Sequence, residues 1–167
     1  NFSRCRELCI ELGNQKDSIT SLDYEIAVTY RLLEKYDDAM ESYKKALIGF
    51  EIAGDKAKEV AKTRFGLGLT YQQTGNYRKA IEELQKSCSL CEELGYLEDV
   101  AYIYEEIGNT YFEWEKYPEA ILAFTTARNI YQEKEKMEDV ADLSNLLGMT
   151  YRESEKYEQS LEEYQLA

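Results

Sequence analysis

The residues of this sequence best suited to chemistry are its cysteines, two of which form a Cys-x-x-Cys pair at Cys88 and Cys91. Such pairs occur in zinc sites and thiol redox centres. This pair falls inside a helical pattern, whereas a reactive thiolate is favoured at a helix N-terminus. Counted in the repeat period described below, Cys5 and Cys9 lie two repeats away, roughly 20 Å at ~8–10 Å per helix, too far to complete one zinc site. We therefore expect no metal or redox function.

Other catalytic groups are also missing. The chain has no histidine, which removes Ser–His and Cys–His nucleophile pairs and the commonest metal ligand. Acidic pairs are frequent, as solvated helix faces require, but none stands in an apolar setting. The glycines follow a fixed period and form no phosphate-binding loop. The sequence therefore predicts a protein that is not an enzyme and needs no cofactor.

The elements that position these residues repeat along the chain. Gly68, Gly108 and Gly148 are 40 residues apart, and each is followed by a tyrosine three residues later. Ala27 takes the same place 41 residues before Gly68. A fixed period of this size is typical of a repeat array, which usually binds partners over an extended surface.

Each repeat is predicted to form two helices, A and B. In the second repeat, apolar residues at helical spacing predict helix A from about Lys56 to Gln73 and helix B from about Tyr77 to Leu94. Gly75 suits the left-handed residue that follows a helix end. The organisation predicted is one solenoid over 1–167, with the B helix of a preceding repeat at 1–13 and repeats at 14–54, 55–95, 96–135 and, truncated, 136–167.

Two further columns of the repeat carry structural expectations. Glycine ends helix B at Gly54 and Gly95, whereas Glu135 takes the corresponding place in the next repeat. Tyr43 and Tyr164 share a column with Leu84 and Phe124, and the sequence predicts a core position for the whole column. The small residues of the Gly68 column are expected where helix A is crossed closely by its own helix B.

These repeats resemble tetratricopeptide repeats. The pattern of that family is Leu-Gly, a tyrosine three residues on, then Ala followed four residues later by Phe. The best copy here is Ile107-Gly108, Tyr111, Ala120 and Phe124. The period of 40 residues exceeds the usual value of about 34, and this long form resembles repeats of Pins-type spindle-orientation adaptors and kinesin light chains. The column that holds Trp in the family contains Asp23, Arg64, Tyr104 and Ser144.

The resemblance implies an all-α fold, a right-handed α-solenoid of stacked helix-turn-helix repeats whose A helices line a concave groove for a peptide or helix. Matching columns gives five candidates in each repeat: Ser21, Tyr24, Val28, Arg31 and Leu32; Lys62, Phe65, Leu69, Gln72 and Gln73; Tyr102, Glu105, Asn109, Phe112 and Glu113; Asp142, Asn145, Met149, Arg152 and Glu153. We predict that binding falls on Tyr24, Arg31, Lys62, Phe65, Leu69, Gln72, Tyr102, Asn109, Phe112, Asn145 and Arg152.

The character of this groove follows from its residue types. Tyr24, Phe65, Tyr102 and Phe112 are predicted to form an exposed aromatic stripe, suited to the anchors of an amphipathic helix or extended peptide. The alternative is that some of these rings pack between neighbouring A helices. Three of the twenty positions are basic and four acidic, so the groove is near neutral. Chaperone-binding relatives clamp a C-terminal carboxylate with Lys, Asn and Arg, and only Asn109 matches that set, which argues against chaperone tails as ligands.

Charge and composition limit the partners. The net charge of −13 without a basic tract would repel nucleic acid and an anionic membrane surface. No apolar run approaches the roughly 20 residues that a membrane crossing needs, and unpaired buried cysteines fit a reducing, cytoplasmic location.

The function expected is that of a non-catalytic scaffold or adaptor that binds a protein or peptide partner. Two alternatives stay open. The chain begins at Asn1 and is expected to be part of a longer protein, so it could be a peptide-sensing segment that controls an attached effector domain. Its ends lack a polar capping helix, so it could also self-associate end to end.

Overall fold

The computed structural model describes the backbone of residues 16–167 and the side chains of residues 19–167. These residues form eight helices and no strand. The predicted B helix over 1–13 and the pair Cys5 and Cys9 lie outside the described residues. The helices are α1 (Lys16–Leu32), α2 (Tyr36–Ala53), α3 (Ala57–Gln73), α4 (Tyr77–Glu93), α5 (Leu97–Glu113), α6 (Tyr117–Glu133), α7 (Met137–Glu153) and α8 (Tyr157–Leu166).

Each turn between these helices is built around one residue in the left-handed region. The φ angle is +73° at Gly75, which confirms the conformation expected there, and +58° at Glu135. In the first case the N–H of Gly75 donates to the Gln72 carbonyl at 2.8 Å and the N–H of Asn76 donates to the Tyr71 carbonyl at 2.8 Å. These bonds satisfy carbonyls that the helix end would otherwise leave open. Short turns with one left-handed residue therefore connect consecutive antiparallel helices.

The chain divides into two compact units, residues 1–90 and 91–167, with the boundary inside α4. In the first unit α2 packs against α1 and α3. Two clusters form its described core: Ala27, Ala39, Tyr43, Leu67, Tyr71 and Ala80, and a smaller one of Ala46, Phe50 and Val60. In the second unit α6 packs against α5 and α7, and α7 against α8. Its core contains Ala101, Ala120, Phe124, Ala127, Tyr131, Leu143 and Leu147.

The glycine column has the expected steric cause. A Cβ atom on Gly108 would lie 2.5 Å from two carbon atoms of the Phe124 ring, which is closer than real contacts allow. Phe124 is only 1% exposed, and Tyr43 in the same column is equally buried, so the core prediction holds for both. It was wrong for Tyr164, which is 40% exposed because α8 packs chiefly against α7 in the described chain.

Cys88 and Cys91 are buried thiols in the last turns of α4. Among residues 16–167, no group of three or more His, Cys, Asp or Glu side chains is arranged to hold a metal ion. No helix within the described chain is both long and apolar enough to cross a membrane. The fold is all-α and of the α-solenoid class, built from helix-turn-helix repeats.

Candidate functional site

In the first unit the candidate surface is the face formed by the A helices α1 and α3, which touch each other. The ten candidate positions on these helices all keep some contact with solvent. Ser21, Leu32, Lys62 and Gln73 are exposed, and Tyr24, Val28, Arg31, Phe65, Leu69 and Gln72 are half-buried. The residues between these positions, such as Ala27 and Leu67, form the core. Helical periodicity therefore sends one set of side chains inward and leaves the other set accessible.

The aromatic candidates of this face, Tyr24 and Phe65, are half-buried, which lies between the exposed stripe expected and the alternative that the rings pack. Tyr24 lies edge-on to Tyr43, with ring centroids 6.0 Å apart and an interplanar angle of 64°. Burial, followed by the nearby Glu25 carboxylate, raises the pKa of Tyr24 above 10.0, and Arg31 partly opposes the shift. The Tyr24 ring therefore packs against α2 and is only partly accessible to a ligand.

A small cleft opens beside Tyr24. It measures about 190 Å³ and is lined by Ser21, Tyr24, Glu25, Phe50, Glu59 and Lys62. Sites for small molecules usually measure about 300–1,000 Å³, so this cleft suits one anchoring side chain. Its lining combines two aromatic rings with side chains of both charge signs, a mixture also found at interfaces between proteins.

In the second unit the corresponding face is formed by α5 and α7. Tyr102 is 46% exposed, as the sequence predicts, whereas Glu105, Asn109 and Phe112 are half-buried. Phe112 lies edge-on to Tyr117, with centroids 5.8 Å apart, so its ring also packs rather than standing free. The exposed members of this face are Tyr102, Glu113, Asp142, Asn145, Met149, Arg152 and Glu153.

Carboxylates dominate the start of this second face. Burial, and then the charges of Glu106, Asp139 and Asp142, raise the pKa of Glu105 above its usual value of 4.5. Burial and neighbouring carboxylates, Glu105 first among them, also raise the pKa of Tyr131 to about 12. Half-buried Glu105 therefore has like charges for neighbours.

The two faces differ in charge, which the sum over twenty positions conceals. The ten positions on α1 and α3 contain two basic residues, Arg31 and Lys62, and no acidic one. The ten on α5 and α7 contain one basic residue, Arg152, and four acidic ones. The near balance of charge expected over the twenty positions is therefore unevenly divided between the two units, although Glu25 and Glu59 add carboxylates to the cleft on the first face.

Sequence reasoning missed several contacts that hold the A helices in place. Arg64 donates to Glu51 at 2.6 Å and to Glu83 at 2.8 Å. The sequence offered one signal for these contacts. Arg64 stands in the column that holds Trp in the family, and residues of that column help to pack the repeat. In the second unit the Trp114 ring stacks on Tyr111, with centroids 6.4 Å apart.

A helix-turn-helix array with an accessible A-helix face defines a repeat scaffold for protein interactions. The family model described as tetratricopeptide repeat matches residues 17–93 and 60–133. The chain therefore belongs to the tetratricopeptide repeat family, which is generally a non-catalytic interaction fold. No curated protein matches the chain in sequence.

Solved structures support the same fold at low sequence identity. The apo form of RapI is 18% identical, with a TM-score of 0.87 over 98% of this chain and 59% of RapI. A kinesin-light-chain-like protein of Podosopora anserina with nearly identical TPR-like repeats is 13% identical, with a TM-score of 0.82 over 99% of this chain and 81% of its own.

A third structure contains a ligand. The Rap conjugation gene regulator of the plasmid pLS20, in complex with the Phr* peptide, is 14% identical, with a TM-score of 0.74 over 99% of this chain and 45% of its own. The chain thus spans less than two thirds of the length of either Rap protein. These similarities establish the fold, and this third neighbour is a peptide complex.

Proposed function

We propose that this chain is a non-catalytic scaffold or adaptor that holds a peptide or helix of a partner protein on the outward faces of its A helices. The observation that carries the proposal is the separation along each A helix. Core residues such as Leu67 and Leu147 are fully buried, while all twenty candidate positions between them keep solvent access.

The chemistry of these positions fits a polypeptide ligand. Apolar and aromatic edges at Tyr24, Leu69 and Tyr102 offer contact area, and aromatic residues often carry much of an interface's binding energy. Amides such as Asn109 and Gln72 can both donate to and accept from a ligand's backbone. The peptide complex of the Rap conjugation gene regulator supports the same assignment by analogy of fold.

The test is selection of binding peptides from a random display library, followed by affinity measurement on two matched variants. Tyr102→Ala removes a ring from the A-helix face of α5, and Leu122→Ala removes an exposed side chain from the B helix α6. We expect Tyr102→Ala to weaken binding roughly tenfold or more, as the loss of a hot-spot aromatic does, and Leu122→Ala to leave it unchanged. The reverse pattern would move the site to the B helices, and failure to select any peptide would reject peptide binding.

A second candidate is a peptide sensor that controls an attached effector, and the Rap conjugation gene regulator with its bound peptide favours it. Hydrogen exchange of the chain with and without a selected peptide separates the two functions. Protection confined to α1, α3, α5 and α7 indicates a scaffold. Changed protection throughout the B helices as well indicates a sensor whose whole array responds. Trp114, the single tryptophan, gives an independent fluorescence reading.

We also propose a cytoplasmic location, because Cys88 and Cys91 are buried thiols and such thiols persist in reducing compartments. Denaturation in the presence of a thiol-alkylating reagent tests this on protein taken directly from cells. Complete alkylation without prior reduction supports the assignment, and protection of either cysteine by a disulfide contradicts it.

A further inference from the structure

Arg31 occupies an unusual position in the first unit. It lies in the last turn of α1 and is half-buried. Its Nε atom is buried and has no hydrogen-bond partner, the only such side-chain atom among the described residues. Its guanidinium is within hydrogen-bonding reach of the Tyr43 hydroxyl, where it partly offsets the rise that burial causes in the pKa of Tyr43. A buried N–H without an acceptor is destabilising, more so on a charged group.

The other half-buried arginines among residues 19–167 have carboxylate partners. Arg64 pairs with Glu51 and Glu83, and Arg128 pairs with Glu163. The chain has 33 acidic residues and 20 basic ones, so carboxylates are plentiful. In the described part of the chain, Arg31 forms no ion pair, although Glu25 is close enough to affect the same tyrosines. The missing partner is therefore specific to Arg31.

The chemistry of the guanidinium points to the missing ligand. Among the ten candidate positions on α1 and α3, Arg31 and Lys62 are basic and none is acidic, and the carboxylates that line the nearby cleft, Glu25 and Glu59, form no ion pair with Arg31. A guanidinium binds a carboxylate through two parallel N–H bonds, and Nε with one terminal nitrogen forms such a pair of donors. In the free chain the guanidinium leaves one donor unused. Turning it toward a ligand carboxylate would therefore add hydrogen bonds, which is the differential interaction that drives such a change.

We infer that Arg31 binds a carboxylate of the partner polypeptide on the α1/α3 face. This inference rests on the function proposed above and names one element of the ligand. The carboxylate belongs either to an Asp or Glu side chain or to the C-terminus of the partner, since both present the same pair of oxygens. The chain's net charge of −13 disfavours strongly acidic ligands. The ligand is therefore a segment with an isolated carboxylate in a neutral or basic sequence.

The first experiment uses the display selection, repeated on the Arg31→Gln variant. Wild-type binders should share an Asp, a Glu or a free C-terminus at one fixed position, and binders of the variant should lose it. The leading peptide is then synthesised with the acid, with the matching amide, and with an amidated C-terminus, which distinguishes the two sources of the carboxylate. For the acid peptide we expect Arg31→Gln to weaken binding roughly ten- to hundredfold, in line with loss of a charged hydrogen-bonded pair.

The controls separate recognition from structure. The amide peptide should bind the wild type and the variant equally, because the carboxylate contact is already gone. Arg31→Lys, which keeps the charge but loses the two-donor geometry, should restore only part of the affinity. Arg78→Gln, an exposed arginine on α4, should change nothing. Equal losses for acid and amide peptides would overturn the inference while peptide binding itself stands.

A second measurement needs no peptide. The Nε–Hε signals of the arginines are followed by nuclear magnetic resonance during addition of sodium acetate, against sodium chloride at equal ionic strength. Arg31→Lys assigns the Arg31 signal. A larger acetate-specific shift at Arg31 than at Arg78 supports the inference, and equal shifts reject it whether or not any peptide has been selected.

Discussion

Gly108→Ala and Gly148→Ala place the same methyl group at the same repeat position, and the structure predicts opposite effects on stability. At Gly108 the new Cβ atom would lie 2.5 Å from two atoms of the Phe124 ring, and at Gly148 it would lie 2.7 Å from the Tyr164 ring. Phe124 is 1% exposed inside a packed core, whereas Tyr164 is 40% exposed. Only the second ring can move away at low cost.

The magnitudes follow from two opposing contributions. Replacing glycine by alanine inside a helix gains about 1 kcal/mol. Overpacking a well-filled core costs about 1–3 kcal/mol, and the upper half of that range applies at Gly108 because the ring is enclosed. The net expectation is a loss of about 1–2 kcal/mol for Gly108→Ala. For Gly148→Ala we expect a change between zero and a gain of about 1 kcal/mol, since the Tyr164 ring yields.

The assay is urea unfolding followed by far-UV circular dichroism on both variants and the wild type. The double variant Gly108→Ala/Phe124→Leu provides the internal control, because a smaller side chain makes room for the methyl group. Its destabilisation should be clearly less than the sum of the two single changes. If Gly108→Ala and Gly148→Ala shift the midpoint alike, or if the double variant is strictly additive, the argument from ring mobility is refuted.

Three further changes have defined outcomes. Glu135→Gly should stabilise the chain by about 0.5–1 kcal/mol in urea unfolding, because it removes the left-handed strain of a side-chain-bearing residue; Glu135→Gln, which keeps that strain, should not. Burial raises the pKa of Glu105, so ionisation of this carboxyl opposes folding above pH 4.5. Glu105→Gln should therefore raise the free energy of unfolding at neutral pH, and this gain should vanish below pH 4.5. A gain that acid leaves unchanged would contradict the assignment. Arg64→Ala should cost about 1–3 kcal/mol, because it removes the part-buried pairs with Glu51 and Glu83 and leaves Glu83 with Lys86 alone. Lys45→Ala, which breaks an exposed pair, should cost at most about 1 kcal/mol; equal costs would contradict the role given to burial.

The fold could be predicted because the same residue pattern recurs several times along the chain. Gly108 and its equivalents recur with the tyrosine three residues later, and periodicity alone then predicts antiparallel helix pairs. The helix bounds agree closely, with the predicted Lys56–Gln73 observed as Ala57–Gln73. Tyr164 is the one core position that was predicted wrongly. A repeat column predicts burial only for a helix that has neighbouring helices packed against that side.

The candidate site was harder to predict because accessibility depends on what surrounds a side chain. Column matching found positions that stay accessible, but it could not tell that Tyr24 and Phe112 lie against Tyr43 and Tyr117. It also summed the charges of twenty positions and so missed that all four acidic ones lie on α5 and α7. The sequence contains no signal for the unpaired Nε atom of Arg31, since a hydrogen bond depends on atomic positions that residue types and spacing do not specify.

The sequence by itself determined the family, the number and order of the described helices, and the absence of histidine chemistry, because these depend on residue type and on spacing along the chain. Only the tertiary structure decided which aromatic rings are exposed to solvent and which arginines form ion pairs. It also decided that Glu135 adopts the left-handed backbone conformation that glycine usually adopts. The physical reason is the same in each case. Periodicity fixes the direction in which a side chain leaves its helix, whereas its exposure, its partners and its strain are fixed by neighbours from other helices and turns.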